Sequence, residues 1–347
     1  MLRLNFIAVY TLSFFSVLAA GASPPANTQI GDSQMPHSAP KMISNPLVER
    51  AADPWVTRHN DAYYYCYSRR GGLWVNTART LKEVLQRTGK CVWQPEEDKA
   101  YSEELWAPEL HQIEGRWYIY FAADDGKNQN HRMYVLASKG PDPMGPYAFV
   151  GKLPSTPDKW AIDGTVLKHN GNFYFVWSGW EGDVDLSQEL YIARIKSPTE
   201  LEGERVQISS PEYDWERSVY PINEGPVALY HEGRTFLIFS ADASWTDKYC
   251  LGQLELVGDD PLDPKCWKKK PTPVFSPTDK VFGPGHCSFI KSPDGTEDWI
   301  IYHSAQKSGS GWRRQGCAQR FGWKENGEPD FGTPLDLGVE FAPPSGE

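Results

Sequence analysis

Residues 220–241, YPINEGPVALYHEGRTFLIFSA, set the reading of this chain. Glu224 stands where an extended segment turns through Gly225-Pro226 into an apolar strand. Residues 227–230 and 235–239 are β-branched and aromatic, with His231-Glu232-Gly233-Arg234 between them as a turn. The unit therefore reads as a β-hairpin headed by a carboxylate.

The unit recurs. Asp53 in ADPWV precedes NDAYYYCYS, Glu109 in APEL precedes EGRWYIYFAAD, and Asp163 in IDGTV precedes NGNFYFVWSGW. Glu224 in EGPV precedes EGRTFLIFSAD, and His286 in PGHC precedes DGTEDWIIYHSA. The polar anchors at 53, 109, 163, 224 and 286 are spaced by 56, 54, 61 and 62 residues. Strand-only units at this spacing predict an all-β, five-bladed β-propeller forming a single domain. A β-sandwich has no reason to place a polar residue at the same point of every unit.

Residues 1–22 carry Arg3, an apolar run and the small residues Ala19-Ala20-Gly21-Ala22, the pattern of a secretory signal peptide. The run is shorter than the ~20 residues of a membrane span, so a secreted, extracellular protein without a membrane partner is expected. Residues 23–44 are rich in Pro, Ser and Asn without periodicity and read as a flexible lead-in, leaving 45–347 for the propeller. Aromatic residues gather in the second strand of each unit. There Tyr63, Tyr65, Tyr118, Tyr120, Phe173, Phe175, Phe236 and Trp299 are expected to pack between blades.

A net charge of −10 argues against nucleic acid as a partner, and Lys268-Lys269-Lys270 is read as a solvated turn. Six cysteines in a secreted chain predict disulfides, with Cys66–Cys91 and Cys250–Cys266 as local pairs and Cys287 as a candidate buried thiol. No C-x-x-C spacing, N-glycosylation sequon, dinucleotide or P-loop glycine motif, H-E-x-x-H or G-x-S-x-G occurs. Nucleotide chemistry, zinc proteolysis and the common serine-hydrolase route are left without support.

The first strand of each propeller blade lines the central axis, so Asp53, Glu109, Asp163, Glu224 and His286 are expected to converge at one end of one tunnel. Carboxylates crowded away from water repel one another and raise at least one pKa, a cost that points to function. A protonated acid near an ionised base is what hydrolysis of a glycosidic bond requires. Calcium ligation is the competing use, although these donors are dispersed over five blades and His is a poor calcium ligand.

The motifs ADPWV, WAPEL, WAIDGTV, NEGPV and GPGH, in this order and spacing, resemble glycoside hydrolase family 43, a family of five-bladed propellers. The resemblance runs from about residue 45 to residue 343. It implies that Asp53 is the general base, Glu224 the general acid, and Asp163 the carboxylate that orients the acid and raises its pKa. His286 matches an axial histidine that approaches a hydrated calcium or other ion in the tunnel, although the chemistry requires no cofactor. Glu109 replaces an Asp of the family motif, with support of blade two or sugar contact as its two readings. Arg314, in preference to Arg313, matches a last-blade arginine that reaches substrate. Trp55, Trp106 and Trp160 flank the anchors and are read as a floor for a sugar ring, with Trp245 shaping the mouth.

The resemblance thus implies a secreted inverting glycoside hydrolase. It would cleave α-L-arabinofuranosyl linkages of plant cell-wall polysaccharide or arabino-oligosaccharides, exo-acting by preference and monomeric. Inversion asks for about 6.5–9.5 Å between the two catalytic carboxyls, to admit a water. Endo-α-1,5-arabinanase and β-1,4-xylosidase are alternatives on the same scaffold. Sucrose- and fructan-cleaving propellers are set aside because ADPW, AIDG and NEGP stand in place of their N-D-P-N, R-D-P and E-C motifs. A non-catalytic sugar-binding propeller has no use for three carboxylates in one tunnel.

Overall fold

The computed structural model describes residues 41–347, so the expected signal peptide (residues 1–22) and residues 23–40 of the expected lead-in lie outside the described residues. Five four-stranded antiparallel sheets follow one another along the chain, each with its strands in sequence order. The innermost strands are Trp55–His59, Glu103–Ile113, Ala161–His169, Asn223–His231 and Phe282–Lys291. Each touches the innermost strands of the neighbouring blades, and the last touches the first, which closes the ring. The expected five-bladed propeller is what forms.

Turn chemistry explains the inner hairpins. Asn223–His231 pairs with Arg234–Ala241 across Glu232-Gly233, both left-handed, with φ of 45° and 79°. Such two-residue turns match the right-handed twist of the strands they join, and Glu114-Gly115 and Asn170-Gly171 repeat the arrangement in blades two and three. Between the blades, alternate side chains of the second strands form the core. Seven of the eight aromatics named above are buried there, and Phe173 is half-buried.

Four sequence expectations need correction. Blade one is not strand-only: a short helix, Leu81–Gln86, capped by Thr80, tucks Leu81, Val84 and Leu85 into the core. All six cysteines are free thiols. Cys66 and Cys91 lie on strands separated by Gly72–Ala78, about 9.5 Å apart by strand spacing and beyond disulfide reach. Cys250 opens the strand Cys250–Leu256, whereas Cys266 lies beside Val257, past that strand's other end. Lys269 is not solvated: its ammonium is buried against Glu216 at 2.8 Å and the Ser210 carbonyl at 2.5 Å.

The lead-in also ends earlier than residue 44. Ile43–Ser44 pairs with Glu340–Phe341, and Ile43 is buried. Residues 47–51 then run along the last blade, exchanging backbone hydrogen bonds between Leu47, Val48 and Gly316 and between Ala51 and Arg314. This segment occupies the edge beside the third strand of blade five, and Ser288 carries the join onward by accepting from Val56 N–H and donating to the Pro54 carbonyl.

Candidate active site

Each innermost strand enters the axis through a residue in the left-handed region: Asp53 (φ 48°), Ala107 (41°), Asp163 (55°), Gly225 (52°) and His286 (43°). In every blade this residue stands two positions before a regularly paired one, namely Trp55, Glu109, Thr165, Val227 and Ser288. The ladder register slips at this point in blades two to five, and a bulge of this kind re-aims a side chain out of the strand's alternation. The structural equivalents are therefore Asp53, Ala107, Asp163, Gly225 and His286. Glu224 reaches the site from one residue earlier, and Glu109 lies two residues later.

That register decides which anchors meet. Asp53, Asp163, Glu224 and His286 line one cavity of about 770 Å³, and Glu109 does not. Glu109 is buried elsewhere in the blade, 2.7 Å from His111 Nε2. Burial pushes its carboxyl well above the usual range, with the charge of Asp163 adding to the effect. Trp55 is also outside the cavity, its indole N–H donating to the Leu110 carbonyl at 2.9 Å and its ring packed on His111. Both residues take the regular ladder position, which points into a blade joint rather than the mouth.

Trp106 and Trp160 do line the cavity. Trp106 stacks at 3.9 Å on His131 and donates its indole N–H to Glu104. Trp160 stacks at 4.6 Å on Trp180 and donates to the Asn128 carbonyl. Arg314, not Arg313, reaches the site, and Trp245 stands at the rim.

The electrostatics separate the carboxylates. Asp53 Oδ1 lies 3.2 Å from an Arg314 guanidinium nitrogen, 3.3 Å from His286 Nδ1 and 3.4 Å from His303 Nδ1. Burial opposes ionisation of Asp53, but His286, His303 and Arg314 together hold its carboxyl far below the usual range, and the Asp53 backbone N–H donates to His303 Nδ1 at 3.2 Å. Burial keeps both imidazoles neutral, with His303 pulled down to about 3, so Arg314 supplies the formal charge at neutral pH. Asp163 and Glu224 go the other way. Burial raises both, Glu224 to about 7, and Asp163 is lifted further by the charges of Glu224 and Asp53. The pair therefore retains a proton near neutrality while Asp53 stays ionised.

Two hydrogen bonds hold the protonated pair in place. Tyr249, fully buried, donates its hydroxyl to Glu224 Oε1 at 2.7 Å, and Gly225 N–H donates to Asp163 Oδ2 at 3.1 Å. Gly225 has a second reason to lack a side chain, since a Cβ there would meet the His286 ring at 3.1 Å. Tyr249 and His303 went unnoticed in the sequence because they come from the third strand's entrance and a second strand, where aromatics read as core. Their rings stack at 5.5 Å, linking the partner of Glu224 to the partner of Asp53.

Among the described residues no three His, Cys, Asp or Glu side chains are grouped to ligate a metal. His286 turns Nδ1 toward Asp53 and Asp163, so the donors do not form a direct calcium cage.

Comparison with known proteins agrees with this architecture. Residues 43–329 match the family model for Glycosyl hydrolases family 43. An extracellular exo-alpha-(1->5)-L-arabinofuranosidase of Streptomyces chartreusis is 36% identical over 283 residues, which is 78% of this chain and 85% of that protein. Alpha-L-arabinofuranosidase 43 of Humicola insolens is 31% identical, covering 97% of this chain and 70% of the relative. The crystal structure of an alpha-L-arabinofuranosidase from Lactobacillus brevis superposes with a TM-score of 0.80 at 34% identity, covering 85% of this chain and 98% of that one. With its matching model, its relatives and its propeller all in accord, this chain belongs to glycosyl hydrolase family 43 and is a glycoside hydrolase.

Proposed function

We propose that the chain is an exo-acting α-L-arabinofuranosidase that removes terminal arabinofuranosyl units from plant cell-wall arabinan, where they are α-1,5-linked, from arabinoxylan or from their oligosaccharides. The observation that carries this reading is the convergence of Asp53, Asp163 and Glu224 in one cavity with different partners. Arg314, 3.2 Å from Asp53, favours its ionised form, whereas burial favours a proton held between Asp163 and Glu224, the latter 2.7 Å from the Tyr249 hydroxyl. Glu224 is the general acid, giving its proton to the leaving oxygen. Asp53 is the general base, taking a proton from the attacking water, and Arg314 keeps it charged for that task. Asp163, held by the Gly225 amide beside Glu224, orients the acid, and the mutual repulsion of the two carboxylates keeps a proton on the pair. Inversion follows from this division of labour.

The names of the Streptomyces chartreusis and Streptomyces avermitilis relatives support both the arabinofuranosyl substrate and export from the cell. Among the described residues no helix is long and apolar enough to cross a membrane. The chain works as a monomer in this reading.

Product analysis tests it. Purified protein is incubated with p-nitrophenyl α-L-arabinofuranoside, p-nitrophenyl β-D-xyloside, linear arabinan and arabinoxylan, and released sugars are separated. Free arabinose from the aryl arabinoside and from arabinan is expected. Oligosaccharides alone from arabinan would make it an endo-arabinanase, and xylose would make it a xylosidase. Glu224→Gln and Asp53→Asn should each lower turnover of arabinan about 10²–10⁴-fold, the usual scale of lost acid or base catalysis. Unchanged turnover in either variant would remove that residue from the mechanism.

A further inference from the structure

The rim of the cavity on the side of blades four and five is aromatic and bare. Trp312 is 68% exposed and Trp245 38% exposed, both unusual for indoles without a partner. Their ring centroids lie 5.6 Å apart at 57°, and Tyr220 approaches Trp245 at 6.4 Å. All three line the same cavity as Asp53 and Glu224. The acid–base chemistry described above uses none of them.

These rings are fixed rather than loose. Asp247, two residues after Trp245, accepts from the Gly309 N–H at 2.9 Å and from the Ser308 hydroxyl at 2.5 Å, which ties the Trp245 loop to the Trp312 loop. Arg314 also reaches the Ser244 carbonyl at 3.4 Å. Across the rim, the Tyr220 hydroxyl donates to the Asp185 carbonyl at 3.0 Å. Two indoles set at an open angle by pinned loops form a notch with preorganised apolar walls, and preorganisation lowers the cost of binding. The carboxylates on the floor disfavour an acidic ligand. The matching ligand chemistry is the C–H face of a neutral glycosyl unit.

We propose that Trp245 and Trp312 form a subsite for a neutral sugar on the leaving-group side, at the second unit or further beyond the bond that is cleaved. This rests on the exo-acting reading: the terminal arabinofuranosyl unit sits at the floor among Asp53, Asp163 and Glu224, so the rest of the chain exits past the rim. The notch then sets a preference for oligosaccharide length without touching the reacting atoms.

The experiment compares kcat/KM for α-1,5-linked arabinobiose, arabinotriose and arabinotetraose in wild type, Trp312→Ala, Trp312→Phe and Trp245→Ala. Wild type should favour the longer substrates over the disaccharide. Each alanine variant should lose about tenfold of that preference, the scale of one well-packed aromatic contact, and Trp312→Phe should keep most of it. A preference that survives in both alanine variants, in an enzyme that does release arabinose, overturns the subsite alone. So does an equal loss on every length, which would place the rings in support of the floor. If wild type releases no arabinose from any of the three, the arabinofuranosidase reading falls and the subsite falls with it.

Discussion

At Glu224 the hydrogen bond from Tyr249 acts in a definite direction. The hydroxyl donates to a carboxyl oxygen and so favours the ionised form, drawing the pKa down against the burial that raises it to about 7. During proton transfer to the leaving oxygen Glu224 becomes a carboxylate, and the same bond strengthens, as charge-assisted bonds do. Tyr249→Phe should therefore raise the acid's pKa and move the alkaline limb of the kcat/KM–pH profile upward. It should also slow arabino-oligosaccharides by about tenfold, the cost of one oriented donor, while slowing aryl glycosides with good leaving groups less. Equal losses on both substrate types with an unmoved alkaline limb would reduce Tyr249 to a packing residue. Neither Tyr249 nor His303 was legible in the sequence. A buried aromatic on a propeller strand reads as core, and only the closed ring brings it to a carboxylate from another strand.

The innermost strand is the element that converts five similar sequences into one asymmetric site. Its left-handed residue is an acid in two blades, a histidine in one, and Ala107 or Gly225 in the others. Spacing alone assigned Glu109 and Glu224 to equivalent points, and the register shows that neither holds that point. Aligned on any polar residue, the motif hides a slip of one or two positions, and in a strand such a slip decides which way a side chain faces. The three catalytic candidates were legible because ADP, IDG and EGP each carry the acid beside a glycine or proline at the entrance of the innermost strand, where IDG and EGP form a bulge. Gly225 tests the element. Alanine there must adopt φ near 52° and meet His286 at 3.1 Å, a backbone cost of about 1–2 kcal/mol before any clash. Gly225→Ala should lower Tm modestly and kcat disproportionately, because the displaced imidazole is a partner of Asp53 and the Gly225 amide holds Asp163. A kcat loss no larger than the stability loss accounts for, at a temperature where the variant is fully folded, would deny the bulge its positioning role.

Across the whole molecule, ring closure and site assembly are one event. Asp53 belongs to the entrance of blade one, yet His286, His303 and Arg314, which hold it ionised, all belong to blade five. The N-terminal segment makes the join. Asn45 is its tightest point: its amide donates to the Ala318 carbonyl and its side-chain oxygen accepts from the Ala318 N–H, both at 2.9 Å and buried. The sequence placed Asn45 at the first position of the propeller without showing this, because nothing in its Pro- and Ser-rich surroundings signals a partner 273 residues away. Asn45→Ala leaves both Ala318 groups buried without a partner, a loss of about 2–3 kcal/mol. The resulting looseness should concentrate at the joint between first and last blades. Activity should then decline with temperature well before the far-ultraviolet circular dichroism transition, whereas Val176→Ala, a cavity in blade three, should lose activity and structure together. Hydrogen exchange would locate the difference, with early exchange at residues 47–51 and 314–318 in Asn45→Ala. If both variants lost activity only at their unfolding transitions, the joint would be no weaker than the rest of the ring. The base would then owe its position to blade five alone.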